Sequence, residues 1–384
     1  MHTLHVVGAR PNFMKAAPVL RALEAHSKTL QIPLRQTLVH TGQHYDAAMS
    51  GVFFQQLEMP KPDFNLGVGS GTHAQQTAGV MLAIEPVLLK SKPDLVLVYG
   101  DVNSTVAAAM VCSKLGIRVG HVEAGLRSGD RTMPEEINRL LTDQISDLLF
   151  TPSPDGDENL LREGIDRAKI HHVGNVMIDT LVRLLPRAEQ HFLSGIPTPY
   201  ALVTLHRPAN VDDLPWLRDL LATLGDLSSQ LHIIFPVHPR TRQRIDHLGS
   251  QAGLNGRLRL VEPQPYLEFL ALQRHAAIVI TDSGGIQEET SFLGVPCLTV
   301  RENTERPITT SHGTNQLVGR DLNRLREAAA VVIKQISNRR ASSQVKFPEA
   351  SRVPLWDGHA AERIAKIVMT KIVVTKTIAS GPAE

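Results

Sequence analysis

Three carboxylates, Asp101, Glu123 and Glu135, come from successive elements of this chain, and Glu123 among them breaks an apolar run. Asp101 follows an apolar run in "VYGDVNST", with Asn103, Ser104 and Thr105 opening an alanine-rich helix; as a bare turn residue it would need no further role. Glu123 interrupts the apolar pattern of "GHVEAGLRSGD", where a buried carboxylate must have a partner or a task. Glu135 lies in "MPEEINRLLTDQISD", whose helical spacing puts Ile137, Leu140, Leu141 and Ile145 on an apolar stripe and Glu135, Asn138, Arg139 and Thr142 on a polar one. A Glu135–Arg139 surface pair is the plainer alternative. Carboxylates from successive elements suit acid and base work on a shared substrate.

A different chemistry is written in "TDSGGIQEE", residues 281–289. Gly284 and Gly285 open a helix whose unpaired N–H groups and dipole suit a diphosphate, Ser283 can add a hydroxyl, and Glu289 follows about one turn on, where it could accept from ribose hydroxyls. A plain glycine turn capped by Ser283 fits the same residues. "TLHRPAN" adds His206 and Arg207 after a strand, and "GARPNFMK" adds Arg10 and Lys15, an arginine there being able to meet phosphate or a carboxylate.

The elements that must position these groups alternate along the chain. "LHVVG", "TLVHTG", "DLVLVYGD", "RVGHVEAG" and "LLFTPS" read as strands with helical patterns between them; the alternation restarts with "YALVTLHR", "HIIFPVHP", "LRLVEP", "AAIVITDSGG" and "PCLTVR". The expected fold is α/β with two doubly wound Rossmann-like domains facing a cleft. The first covers residues 1–173 and the second 174–359, with a boundary near Gly174. A terminal helix at about 360–375 has no strand after it and is free to pack back on the first domain. Ligands of open parallel sheets bind beyond the carboxyl ends of the strands, and here those ends are Gly8 to Arg10, Gly42 to His44, Gly100 and Asp101, His121 to Gly125, His206 and Arg207, His238, and Asp282 to Gly285.

At 384 residues the chain has room for two such domains, and no run approaches the length of a membrane helix. The opening "MHTLHVVGARPNF" reads as a first strand ending at Gly8, not as a signal peptide. Forty basic residues against 38 acidic ones leave a net charge of +2, which argues against a nucleic-acid footprint or a membrane-binding patch. Cys112 and Cys297 suggest neither disulfides nor a thiolate metal site, and a reducing cytoplasm fits. Seventeen scattered histidines show no zinc spacing, "IHHVG" placing adjacent rings on opposite faces of a short strand; neither a metal nor a cofactor is expected.

Taken in order, "GARPNFMK", "TGQH", "GDVNST", "HVEAGLRSGD", "PEEINR", "GN" at 174–175, "HR" at 206–207, "PVHP", "TDSGGIQEE" and "TERP" resemble the non-hydrolysing UDP-N-acetylglucosamine 2-epimerases over nearly the whole chain. The resemblance implies the GT-B fold, with the C-terminal helix crossing back to the first domain, and UDP held mainly by the second. It implies that Ser283, Gly284 and Gly285 hold the diphosphate, Glu289 the ribose and Phe269 the uracil region. Arg10, Lys15 and Arg139 join them as substrate-binding residues. Asp101, Glu123 and Glu135 match the catalytic acids, and His206, counted with them as catalytic, matches a histidine near the phosphates. A homodimer supplying cell-surface polysaccharide synthesis is implied as well. Two departures stand out. "HRPAN" lacks the glutamate usual after the His-Arg pair, and "GVGSGTHAQQT" replaces a segment that in many bacterial members helps form a second, activating nucleotide-sugar site. "TGQHYDAAMSGVFF" also resembles members acting on a UDP-diacetamido uronic acid. A GT-B glycosyltransferase and a silent nucleotide-sugar binder remain as competitors, because a fold alone does not choose between them.

Overall fold

The computed structural model describes residues 1–42, 56–192, 195–248, 256–341 and 353–379, so the expected rim residues Gln43 and His44 lie outside the described residues. The chain forms two compact units, Met1–Thr180 with Pro354–Glu384, and Leu181–Val353. The division falls inside the helix Val176–Glu189, beyond the glycine at 174.

The first unit is a seven-stranded parallel sheet in the order β3-β2-β1-β4-β5-β6-β7. Its strands are β1 (His2–Val7), β2 (Arg35–His40), β3 (Phe64–Asn65), β4 (Leu95–Tyr99), β5 (Val119–Val122), β6 (Leu148–Thr151) and β7 (Ile170–His172). β1 and β4 are covered on both faces, so they read as continuous apolar runs, as inner strands of parallel sheets do. Leu4, Val6, Val96 and Val98 pack there with Ile84 and Leu88 of the helix His73–Ser91 and with Ala108 and Ala109 of the helix Asn103–Lys114. The chain order reverses between β1 and β4, which makes the gap beyond Val7 and Tyr99 the switch point of this sheet. β3, two residues at the edge, has no periodicity to announce it. The terminal helix Ala360–Ala379 packs on the helix Arg10–Leu30, and the carboxylate of Asp179 caps it by accepting from Ala360 N–H at 3.1 Å and Ala361 N–H at 2.7 Å.

The helix Pro134–Ile145 reverses the ordinary orientation of an amphipathic helix. Glu136, Asn138, Arg139, Thr142 and Asp143 are buried, while Ile137 and Leu141 of the apolar stripe face outward. Its polar side is held inside by the groups it meets at the ends of β4 and β5, described below.

The second unit is a six-stranded parallel sheet in the order β10-β9-β8-β11-β12-β13. Its strands are β8 (Tyr200–Thr204), β9 (His232–Pro236), β10 (Leu258–Val261), β11 (Ile278–Thr281), β12 (Cys297–Thr299) and β13 (Asn315–Leu317). Leu220, Leu221 and Leu224 of the helix Leu214–Leu227 pack against Val203, Phe235 and Ile280. β13, "NQL", escaped the sequence pattern because two of its three residues are polar. The switch point of this sheet lies between β8 and β11, at His206 and Asp282.

Candidate functional site

In each unit several of the singled-out residues lie at the strand ends that form the switch point. At that of the first, Asn12 ties the strand ends together: its Oδ1 accepts from Gly8 and Ala9 N–H at 3.0 Å each, and its Nδ2 donates to the Tyr99 carbonyl at 2.8 Å. Arg10 stands exposed in the first turn of the following helix. Lys15, one turn further and buried, donates to Glu123 Oε1 at 2.8 Å and lies 2.7 Å from Oε2. Glu123 itself sits at φ +76°, a left-handed conformation costing a residue with a side chain on the order of 1–3 kcal/mol, of the kind that clusters at functional sites.

Asp101 is tied from two sides. Its carbonyl accepts from Asn138 Nδ2 at 2.9 Å, and its carboxylate pairs with Arg139. Arg139 is almost fully buried and is held in turn by Glu136, 2.8 Å from its Nη2. Glu136 also accepts from the N–H groups of Ser128 and Gly129 at 2.9–3.1 Å. Burial alone would raise the Glu136 carboxyl, but those N–H donors and the Arg139 guanidinium hold it below its ordinary value. The Glu135–Arg139 pair is therefore not formed: Arg139 takes Asp101 and Glu136 instead. Glu135, partly exposed, has no hydrogen bond or ion pair among the described residues. Glu136 was missed by the sequence reading although Glu136 and Arg139 have ordinary helical pairing distance; the neighbouring glutamate shares the same polar side and drew the assignment.

In the second unit Asp282 is buried between the ends of β8 and β11 and accepts from His206 N–H, Arg207 N–H and Asn210 Nδ2 at 2.9–3.2 Å. Burial pushes its carboxyl up, and the hydrogen bonds from His206, Arg207 and Asn210 outweigh that and hold it below the ordinary value. The His206 ring places Nδ1 3.0 Å from Asp282 Oδ1 and leaves 59 % of the side chain exposed, so its other nitrogen faces outward.

The helix Gly284–Leu293 begins after Ser283, whose hydroxyl makes no capping bond. The N–H groups of Gly284 and Gly285 have no acceptor among the described residues, as expected of a helix's first turn. The two glycines differ in surroundings. A Cβ on Gly284 would fall 2.5 Å from Arg306 Nη1 and 2.7 Å from Glu305 Oε1, whereas one on Gly285 would meet nothing within 4 Å. Arg306, in the "TERP" segment to which the sequence assigned no role, thus brings a guanidinium to the helix start. It is buried, with its Nε 2.7 Å from Glu288 and its Nη1 paired to Glu305.

Glu289 is buried and accepts from the Tyr266 hydroxyl at 2.9 Å, with the Gln273 side chain as a further hydrogen-bond partner. Burial pushes its carboxyl up to about 7 despite the Tyr266 bond. Phe269, half-buried, lies on the same helix as that tyrosine, Tyr266–His275, which packs against the helix of Glu289. No cluster of three or more His, Cys, Asp or Glu side chains among the described residues is arranged to hold a metal ion, and no helix among them is long and apolar enough to cross a membrane.

Known proteins resemble the chain over most of its length. The family profile described as UDP-N-acetylglucosamine 2-epimerase matches residues 28–369. The UDP-N-acetylglucosamine 2-epimerase of Methanococcus maripaludis is 42% identical over 374 residues, covering 94% of this chain and 97% of its own. The UDP-2,3-diacetamido-2,3-dideoxy-D-glucuronate 2-epimerase of Pseudomonas aeruginosa is 44% identical over 322 residues, covering 83% and 88%. The crystal structure of Methanocaldococcus jannaschii UDP-GlcNAc 2-epimerase in complex with UDP-GlcNAc and UDP superposes with a TM-score of 0.83 at 41% identity, over 96% of this chain and 100% of that one. With two parallel sheets of GT-B type, carboxylates at one switch point and a glycine-started helix at the other, the chain belongs to the UDP-N-acetylglucosamine 2-epimerase family.

Proposed function

We propose that the protein inverts carbon 2 of UDP-N-acetylglucosamine, giving UDP-N-acetylmannosamine, by eliminating UDP and adding it back. The hydrogen on carbon 2 is not next to a carbonyl, so its direct removal would leave an unstabilised anion. Stretching the bond from carbon 1 to UDP makes carbon 1 cationic and the neighbouring hydrogen acidic; a carboxylate base then yields a glycal and UDP. Return of the proton to the opposite face, with re-addition of UDP, completes the inversion. The observation that carries this reading is the buried Lys15–Glu123 pair beside the Gly100–Asp101 turn, a base with its counter-charge in a family defined by this reaction.

In this reading the first unit supplies the acids and bases Asp101, Glu123 and Glu135, with Arg10, Lys15 and Arg139 as substrate-binding groups. The second unit holds UDP: Ser283, Gly284 and Gly285 the diphosphate, Glu289 the ribose and Phe269 the uracil region, with His206 as a catalytic residue near the phosphates. The buried Glu289 carboxylate on the glycine-started helix supports its assignment, since ribose hydroxyls are the donors a carboxylate there would accept from. The reading includes a cytoplasmic location, supported by two buried, unpaired cysteines, and a homodimer. Supporting the dimer, the helices His73–Ser91 and Pro134–Ile145, which both pack on Asn103–Lys114, expose Leu82, Leu89, Ile137 and Leu141.

The test is incubation with UDP-N-acetylglucosamine alone in heavy water. The manno product is expected to carry deuterium at carbon 2; an epimer free of deuterium would exclude the elimination route, and inertness without an acceptor would favour a glycosyltransferase. The 44% identity to the Pseudomonas enzyme favours a second reading, the UDP-diacetamido uronic acid as substrate, which would follow if that nucleotide alone were turned over.

A further inference from the structure

We propose that His121 is a positioning residue for the reaction: it fixes the Gly100–Asp101 peptide through one ring nitrogen while Asp143 fixes the ring through the other. The proposal rests on the reading above, in which Asp101 handles a proton or substrate.

His121 lies on β5, two positions before Glu123, and no part of it or of Asp143 reaches solvent. Its Nε2 is 2.8 Å from the Gly100 carbonyl. A carbonyl only accepts, so Nε2 carries a proton and donates it. Nδ1 is 2.6 Å from Asp143 Oδ1. The carboxylate of Asp143 is immobilised in turn, its Oδ2 accepting from Gly125 N–H at 3.1 Å and lying 2.8 Å from Arg127 Nη2. Arg127 is anchored by Glu163 at 2.6–2.7 Å. Burial would raise the Asp143 carboxyl, but the His121 ring and the Arg127 guanidinium hold it below its ordinary value.

The Gly100 carbonyl belongs to the same peptide group as Asp101 N–H, so the ring sets the plane from which the Asp101 side chain departs. Asn138 fixes the carbonyl of Asp101 and Arg139 its carboxylate, leaving the preceding peptide as the remaining degree of freedom. Displacement of a reacting group by about 1 Å is enough to cost on the order of a hundredfold in rate. A buried ring spent only on packing would not need both nitrogens matched to acceptors.

Two substitutions separate the contacts. A glutamine amide reaches the place of Nε2 and can donate to Gly100, whereas an asparagine amide reaches only the place of Nδ1 and meets Asp143. His121→Asn is expected to lower kcat about 30- to 100-fold with KM and the Kd for UDP within about threefold, and His121→Gln to recover kcat to within about fivefold of the parent. Equal losses in the two, loss of UDP affinity in step with kcat, or no loss in either overturns the proposal. If His121→Asn does not fold, Asp143 gives the same contrast. Asp143→Asn can donate its amide to Nδ1 and so keeps the proton on Nε2, and is expected within about fivefold of the parent; Asp143→Ala frees the ring and is expected at least about tenfold lower, equal kcat in the two being the overturning result. Asp101→Asn is measured beside them. Full activity there removes the role on which the proposal rests, while an inactive Asp101→Asn beside a fully active His121→Asn removes the positioning role alone.

Discussion

Lys15 and Glu123, 108 residues apart in sequence, form an ion pair with the ammonium 2.7–2.8 Å from both carboxylate oxygens and both side chains almost wholly buried. A buried pair of this kind contributes little net stability compared with an apolar pair of the same shape, but breaking it by removing one partner costs about 3–5 kcal/mol, because the other charge is left uncompensated. The pair therefore points to chemistry more than to folding.

Glu123→Gln is expected to lower turnover by at least about a hundredfold while leaving UDP affinity within a few-fold, and to lower the melting temperature because Lys15 keeps its charge. Adding Lys15→Met should restore most of the melting temperature and none of the activity. Thermal denaturation and initial rates on the parent and the two variants check this, and a double variant that regained turnover would remove Glu123 from the proton chemistry.

Gly100 is required twice over. It stands at φ +63°, and a Cβ there would fall 2.7 Å from Lys15 Nζ and 3.9 Å from Glu123 Oε1. Gly100→Ala is expected to cost about 1–2 kcal/mol from the backbone alone and to lower kcat at least about tenfold by displacing the ammonium from Glu123. Denaturant unfolding and steady-state kinetics measure the two effects separately.

The proposed diphosphate seat is best probed at Gly285, where added atoms meet no protein neighbour, and not at Gly284, where they would strike Arg306 and Glu305. Gly285→Val should raise the Kd for UDP about tenfold or more by blocking approach to the helix N–H groups, with little change in stability. Unchanged affinity by calorimetry would take the diphosphate away from this turn.

Glu289 links stability to pH. With its carboxyl pushed up to about 7 from an ordinary 4.5, the folded chain holds a proton between those values that the unfolded chain has released. This group's contribution to stability therefore falls as pH rises through that window, by an amount on the order of 3 kcal/mol. Glu289→Gln should flatten the pH dependence of the melting temperature between pH 5 and 8. If ribose hydroxyls donate to the ionised carboxylate, UDP binding near pH 6.5 should release more protons in the parent than in the variant, the UDP phosphate contributing equally to both, read from calorimetry in buffers of different ionisation enthalpy.

The exposed leucines on the helix His73–Ser91, Leu82 at 75% and Leu89 at 56%, predict self-association through that face. The pair Leu82→Glu and Leu89→Glu should convert a dimer to a monomer in sedimentation without lowering the melting temperature of the monomer. A parent that sediments as a monomer at micromolar concentration would end this reading.

Sequence by itself determined the alternation of strands and helices, because fully covered parallel strands such as "LVLVY" have no polar face and end abruptly at glycine and aspartate. It also singled out two stretches, since a glutamate in an apolar strand and a glycine pair before a helix are local signals. Which partner each charge takes was decided only by the tertiary structure. Lys15 reaches Glu123, His121 reaches Asp143 and Gly100, and Arg139 chooses Asp101 and Glu136 over Glu135 because the order of strands brings the ends of β1, β4 and β5 together. The helix Pro134–Ile145 makes the same point. Its periodicity defines two sides, but which side is buried depends on the charges waiting at the neighbouring strand ends, and these outweigh the apolar stripe of Ile137 and Leu141. Hydrophobic patterning is a property of adjacent residues, whereas the pairing of buried charges is a property of the topology that packs distant ones side by side.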